Sequence, residues 1–375
     1  MKIGLLCCWS NMRIYPIYSS SLKKALEELT GDEVPVITTN CMCFDKDNPV
    51  NEDYDFVNVP YIWQHPSRTK ARHYVRAKLY PPLEFLRGRA LASRSSNLDV
   101  VDFQQSSYAF GYEALEAFLS SRSKVKKVVT IHKLDAIQKE KPEVNHIYNL
   151  ADGIIVFSKY MKNLLVNDGV RASKIHVIYH GTSLPALSDG PREQAILFCG
   201  SPIPHIKGFE HFVVALRLLQ EEGISLRTKV YGFFQPNEKE YAEWLAANEG
   251  VDSLLEWQSF TNEGELIEQY QKSLVSVIPY TGYAGYFPAA YSMGNAVPVI
   301  ATDILGHAEY LAGAGLMVPP ADPEELASAL KRVLNDEALR KEMGANGRKR
   351  AEETLSWSGV ATQTLAAFNK AIEER

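Results

Sequence analysis

Residues Ser276–Pro320 read SVIPYTGYAGYFPAAYSMGNAVPVIATDILGHAEYLAGAGLMVPP. An apolar strand, Val275 to Pro279, enters a loop of small residues from Thr281 to Phe287. Pro288 then opens a helix running to Met293, and Val297–Ala301 is a second buried strand. Proline suits the first helical turn, where its missing N–H would have no partner in any case. A small-residue loop feeding a helix start aims free N–H groups and the positive end of the helix dipole at one point. Such a point suits an anion like a diphosphate. No charged side chain occurs between Lys272 and Asp303. Yet Pro and Gly interrupt every apolar run well short of the ~20 residues a membrane span needs. The stretch reads as a buried α/β core beside a ligand loop.

The same alternation of strand and helix extends outward in both directions. Upstream, Lys2–Cys8, Val34–Thr39, Val100–Phe103, Lys127–Ile131, Gly153–Phe157 and Ile175–Tyr179 read as strands, with helices at Ser21–Leu29, around Tyr112–Leu119 and at Lys159–Asn167. The strands are unbroken Val/Ile/Leu runs, the pattern of a parallel sheet covered on both faces. Gly181–Gln194 (GTSLPALSDGPREQ) is polar and rich in turn formers, so it reads as a linker. The pattern restarts at Ala195–Cys199 and closes with helices at Pro323–Leu334, Ala338–Thr354 and Trp357–Ile372. The expected organisation is an N-terminal domain 1–182, a hinge 183–194, a C-terminal domain 195–355 and a returning helix 356–375. Two doubly wound parallel-sheet domains in tandem place a ligand cleft at their strand ends.

The 375 residues are enough for two domains, and 46% apolar with 23% charged residues is the balance of a soluble globular protein. A net charge of −5 gives no global signal for nucleic acid. Five cysteines, with Cys7, Cys8 and Cys199 in apolar strands, read as reduced buried thiols of a cytoplasmic protein. Cys41 and Cys43 lack a second pair at metal spacing, so no zinc site is expected. MKIGLLCCW has the pattern of a first strand, not of a secretory leader. Asp45 and Asp47 lie in a polar acidic loop and read as solvated. The sequence shows no nucleophile elbow, Walker loop or dinucleotide fingerprint.

Several stretches, in order, resemble GT-B-fold glycosyltransferases, in particular the retaining family-4-like group. They are Ala151–Ser158 (ADGIIVFS), Ile178–Gly181 (IYHG), Phe198–Gly200 with Lys207-Gly208, Asn295–Asp303 (NAVPVIATD), Gly306–Glu309 (GHAE), Gly315–Pro320 (GLMVPP) and Leu355–Trp357 (LSW). The resemblance implies GT-B architecture, two Rossmann-like domains and a last helix crossing back to the first. It implies a nucleotide-sugar donor, such as a UDP- or GDP-sugar, with no bound metal and no cofactor. On the donor side it points to Gly200, Ser201, Lys207, Phe260, Tyr283, Ala284, Gly285, Tyr286, Phe287, Tyr291 and Glu309. Lys207, before a helix start, would act as a point charge on the phosphates. His132, at the end of the strand Val128–Ile131, matches the histidine that reaches the donor sugar.

The chain departs from that family at its most diagnostic motif. Two glutamates eight positions apart are expected around the loop, and Tyr283 and Tyr291 stand there. A tyrosine offers one hydroxyl where a glutamate accepts two. The arginine expected directly after Gly200 is Ser201, which removes a bidentate phosphate clamp. Arg13, in the first loop, is a candidate replacement cation. A second reading is therefore a transferase-like binding or partner subunit that has lost activity.

The segment His65–Arg94 carries Arg68, Lys70, Arg72, Arg76, Lys78, Arg87, Arg89 and Arg94 against one acid, Glu84. It reads either as a solvated helical face or as an acceptor-side patch. In the second case Arg68, Arg72 and Arg76 would draw an anionic or lipid-linked acceptor, with peripheral contact at the inner face of a membrane. Donor base, acceptor and oligomeric state stay open at this level.

Overall fold

The computed structural model describes residues 1–7, 15–39, 54–57, 70–105, 112–132, 142–188, 190–232, 234, 236–259, 262–282 and 285–374. The chain divides into two compact units. The first is Met1–Ile178 together with Trp357–Arg375, and the second is Tyr179–Ser356.

In the first unit, strands β1 (Ile3–Leu6), β2 (Val36–Thr39), β3 (Tyr54–Val57), β4 (Val100–Gln105), β5 (Lys126–Ile131), β6 (Gly153–Val156) and β7 (Ile175–Val177) form one sheet in the order β3-β2-β1-β4-β5-β6-β7. All neighbours pair in parallel. Helices α1 (Tyr15–Thr30), α2 (Lys70–Arg94), α3 (Tyr112–Leu119) and α4 (Lys159–Asn167) connect them. Ser158 starts α4 as an N-cap, its hydroxyl accepting from the Met161 N–H at 3.1 Å.

In the second unit, β8 (Ala195–Cys199), β9 (Arg227–Tyr231), β10 (Leu255–Gln258), β11 (Val275–Ile278), β12 (Val299–Thr302) and β13 (Gly315–Val318) form a parallel sheet in the order β10-β9-β8-β11-β12-β13. Its helices are α5 (Phe209–Glu221), α6 (Pro236–Asn248), α7 (Glu263–Lys272), α8 (Phe287–Gly294), α9 (His307–Leu311), α10 (Pro323–Asn335) and α11 (Glu337–Thr354). The last helix, α12 (Trp357–Glu373), belongs to the first unit, where Trp357 meets Tyr18 of α1 with ring centroids 5.2 Å apart.

Every residue of β8, β11 and β12 is buried, as expected of central strands covered by helices on both faces. Phe198 of β8 stacks on Phe212 at 5.6 Å and meets Phe209 edge-on at 5.3 Å, which locks α5 against the sheet. These rings join Val213, Leu216, Val230, Val277 and Ile300 in the core of the unit. Ala, Phe, Val and Leu recur on the inner face of α5 at helical spacing, so that face supplies most of the burial.

Both sheets wind outward over three strands and then reverse, between β1 and β4 in one and between β8 and β11 in the other. Loops leaving adjacent strands on either side of such a reversal diverge, and the crevice beyond their carboxyl ends is where open α/β sheets bind ligands. Gly200–Lys207 follows β8, and the small-residue loop follows β11. The sheet order thus brings together two stretches about eighty residues apart in the sequence.

Candidate functional site

In the second unit the two loops at the reversal are tied to each other. The Ile206 carbonyl accepts from the N–H groups of Thr281 and Gly282, both at 3.1 Å. Gly208 makes the approach possible. It has φ +63°, and a Cβ there would lie 1.7 Å from the Pro279 carbonyl oxygen. Lys207, half-buried, is held by this lacing with its Nζ 3.8 Å from the centre of the Tyr280 ring. A cation over an aromatic face is attracted by the negative face of the ring. Gly200, at φ +136°, ends β8 with its N–H on the Tyr231 carbonyl, and Ser201 follows half-buried.

Gly285 leads into α8, which carries Pro288 in its first turn as the sequence indicated. The first N–H groups of a helix have no intrahelical partner, and Pro288 contributes none of its own at the start of α8. Tyr286 and Phe287 are buried, and the Tyr286 hydroxyl donates to the Leu305 carbonyl. His307 lies between Tyr280 and Tyr286, at ring distances of 5.9 and 5.8 Å. Burial, and then the charge of Lys207, push its imidazole down to about 4, against the raising effect of the Thr302 carbonyl. The ring is therefore neutral at physiological pH. Its Nδ1 donates to Thr302 at 3.1 Å, while its buried Nε2 has no partner among the described residues. Glu309 is half-buried and accepts from the Tyr179 hydroxyl at 2.8 Å.

Tyr291 does not present its hydroxyl to solvent. The residue is wholly buried, its ring stacked on Phe287 at 4.3 Å. Its hydroxyl donates to Glu263 Oε1 at 2.5 Å, and Ser183 Oγ donates to the same oxygen at 2.5 Å. Burial, and then the adjoining Glu263 carboxylate, raise the phenol well above its ordinary range, so it remains a donor. Glu263 is a residue the sequence did not single out. It opens α7, follows β10, and lies twenty-eight positions before Tyr291.

In the first unit, His132 lies directly after β5 and is buried. Its Nε2 is 2.7 Å from Gln104 Oε1, and Gln104 Nε2 donates to Asp102 Oδ2 at 2.6 Å. Thr130 Oγ1 donates to the same carboxylate at 2.8 Å. Asp102 and Gln104 share one face of β4, and Thr130 and His132 share that face of β5, because Gln104 is in register with Thr130. The Gln104 amide nitrogen faces the Asp102 carboxyl and its amide oxygen faces the imidazole, where it accepts from Nε2. His132 then carries its proton on Nε2. Tyr18 and Phe157 enclose the ring, with centroids at 4.7 and 5.2 Å. Asp102 is fully buried, and that burial pushes its carboxyl up to about 7 despite the bonds from Thr130 and Gln104.

Arg72 and Arg76 lie on α2. Arg87, counted with them in the sequence as a surface charge, is instead buried. It forms an ion pair with Glu84 at 2.5 Å, each side chain 2% exposed. The one acid of the segment is thereby withdrawn from the surface, where Arg89 and Arg94 remain exposed beside Phe85 and Leu86. Among the described residues no helix is long and apolar enough to cross a membrane. Arg13, Arg68, Phe260, Tyr283 and Ala284 lie outside the described residues.

Two family models divide the chain. The one described as Glycosyltransferase Family 4 matches residues 17–184, and Glycosyl transferases group 1 matches residues 188–350. The MMP alpha-(1->4)-mannosyltransferase of Mycolicibacterium hassiacum is 30% identical over 229 residues, which cover 58% of this chain and 54% of that protein. The chain thus spans about half the length of that relative. Sucrose-phosphate synthase from Thermosynechococcus elongatus superposes with a TM-score of 0.77 at 18% identity, over 100% of both chains. Anabaena HepE, solved in complex with UDP and glucose, superposes with a TM-score of 0.75 at 14% identity, over 98% of this chain and 99% of that one. The paired sheets, the laced loops at the second reversal and the two family matches agree: the chain belongs to the GT-B glycosyltransferases of the family-4-like group.

Proposed function

We propose that this protein transfers a sugar, with retention, from a nucleoside-diphosphate donor, and that it needs no bound metal to do so. The observation that carries the reading is Lys207. Its ammonium is fixed over Tyr280 by loops at the sheet reversal, and α8, with the positive end of its dipole, follows the second of those loops. A leaving diphosphate gains charge as the glycosidic bond breaks. A preset cation and preset amide dipoles stabilise that charge without reorganising. Neutral His307 adds no competing positive charge behind Lys207. The HepE complex, a neighbour in fold, supports the donor class by holding UDP and glucose. His132 keeps the role that the resemblance gives it, contact with the donor sugar. For that role Gln104 presets its orientation and the Nε2 proton.

The acceptor-side proposal rests on α2, where Glu84 is paired with Arg87 and Arg89 and Arg94 are exposed. An acceptor carrying phosphate or carboxylate, free or at an anionic membrane surface, suits that helix.

The test is calorimetry of UDP, GDP and ADP with parent and Lys207→Ala, alongside turnover of the corresponding nucleotide sugars with and without EDTA. Loss of the lysine is expected to weaken the bound diphosphate by about 1.5–3 kcal/mol, the value of a hydrogen bond to a charged group. Unchanged affinity in the variant would remove Lys207 from the site. Loss of turnover in EDTA, restored by manganese or magnesium, would overturn metal independence. Nucleotide binding without turnover of any sugar would favour the inactive-subunit reading.

A further inference from the structure

Glu263 is the carboxylate to which the buried Tyr291 and the half-buried Ser183 both point. Both hydroxyls converge on a single oxygen, Oε1. Oε2 has no partner among the described residues, and the side chain is half-buried rather than free in solvent. The group is thus oriented from behind by two donors, with one face left open.

Its place in the fold gives that face a direction. Glu263 opens α7 just beyond the carboxyl end of β10, and Tyr291 lies in the second turn of α8, just beyond the carboxyl end of β11. Both belong to the rim of the sheet that also holds Lys207. A carboxylate on a rim that receives an anion is repelled by phosphate, so it serves a different part of the ligand. Its natural partners are O–H donors, and adjacent hydroxyls can fill both of its oxygens.

We infer that Glu263, steadied by Tyr291 and Ser183, binds adjacent hydroxyls of the nucleotide-sugar donor, supplying from α7 the carboxylate that position 291 lacks. This rests on the donor reading above. The donor has two sources of adjacent hydroxyls, the ribose and the transferred sugar. Tyr291 acts here as a positioning residue, since its hydroxyl reaches the ligand only through Glu263.

The experiment is calorimetry of parent, Glu263→Ala, Glu263→Gln and Tyr291→Phe. The probes are UDP, GDP and ADP, their 2′,3′-dideoxy forms, and UDP-glucose and GDP-mannose. For a ribose contact, the parent should prefer the ribose form over the dideoxy form by about tenfold or more, and Glu263→Ala should cut that gap to about twofold, because a hydrogen bond to a charged group is being removed. Affinity for the dideoxy form should not move. For a contact with the transferred sugar, Glu263→Ala should bind the free diphosphate as the parent does and the nucleotide sugar about tenfold more weakly. Glu263→Gln, which keeps an acceptor and the volume, should fall between. Tyr291→Phe should shift the same preference in the same direction. Equal weakening of ribose and dideoxy forms in Glu263→Ala, or no change for any probe, would overturn the inference while leaving the donor reading intact. If no probe binds the parent, the donor reading fails and the inference fails with it.

Discussion

Replacing Asp102 by Asn should change stability by an amount that depends on pH in a defined direction. Asp102 is fully buried, and no cation is among its hydrogen-bond partners. Burial raises its carboxyl from an ordinary 3.8 to about 7. The folded chain therefore holds a proton that the unfolded chain releases near pH 4. Because the unfolded state binds fewer protons over this window, stability falls as pH rises from about 4 to about 7 and is level above it. At ~1.4 kcal/mol per pH unit, the full loss is about 4 kcal/mol, of which about 2 falls between pH 5 and pH 7. Asn cannot ionise and escapes this loss. It does set an NH₂ group where Gln104 and Thr130 now donate, at a cost of about 1–3 kcal/mol for mismatched donors. That cost does not vary with pH. The stability difference between Asp102→Asn and parent should thus move by about 3 kcal/mol in favour of Asn from pH 5 to pH 8. Urea unfolding of the full chain at pH 5, 6, 7 and 8 reads the difference. Infrared difference spectra should show a protonated carboxyl in the parent at pH 6 that the variant lacks. A difference that stays flat across these pH values, or moves against Asn, refutes the claim that this carboxyl is held protonated by burial.

Two further outcomes follow from α2. Arg87→Met leaves Glu84 buried beside an apolar side chain and should destabilise the chain by about 3–5 kcal/mol; adding Glu84→Leu should recover most of that, because a buried pair is often worth little more than its apolar replacement. Equal unfolding midpoints for the single and double variants would show that the pair is not the source. Reversing Arg72, Arg76 and Arg89 to Glu should raise the acceptor's apparent KM or release the protein from anionic vesicles, with nucleotide affinity unchanged. Added salt should diminish the parent's advantage, since exposed charges are screened within ~8–10 Å at physiological ionic strength. Parent-like behaviour of this triple variant in both assays at low salt would make α2 an ordinary solvated face.

The parallel sheets were legible because their strands are unbroken apolar runs, and Ala195–Cys199, Gly153–Val156 and Val299–Thr302 form where that pattern indicated. Pro288 likewise marked the start of α8. Among the elements that escaped notice, β3 and α6 show why. Strand β3 is four residues, Tyr54–Val57, with Glu52 and Asp53 just before it and Asp55 within it, so its apolar content is too small to stand out. Helix α6 (Pro236–Asn248) buries only Ala242 and Ala246 of its core-facing side, two small residues that make no apolar stripe. The surface role given to Arg87 failed for a related reason. Composition counts a charge without showing whether an acid three residues earlier faces it inside the protein.

The carboxylate at the donor rim illustrates a deeper limit. Reading along one loop and its helix, the sequence shows two tyrosines where glutamates are expected, and the natural conclusion is that acidic function is gone. The fold alters that conclusion, because a parallel sheet makes neighbours of segments that follow different strands. Strand β10 is three positions from β11 in the sheet, yet α7 leads from one to the other across the sheet and runs beside α8, where Tyr270 of α7 and Tyr291 of α8 lie 6.0 Å apart. A side chain at the start of α7 can therefore reach the second turn of α8. No periodicity or motif spacing encodes that meeting. A long phenol at position 291 carries its hydroxyl out to Glu263, whereas a glutamate there would place a second negative charge against the first. The two positions are coupled, so Tyr291→Glu alone should destabilise the chain by like-charge burial rather than restore the motif. Tyr291→Glu combined with Glu263→Gln should be the better tolerated variant. If Tyr291→Glu alone is as stable as the parent from pH 6 to pH 8, Glu263 and residue 291 do not share one site.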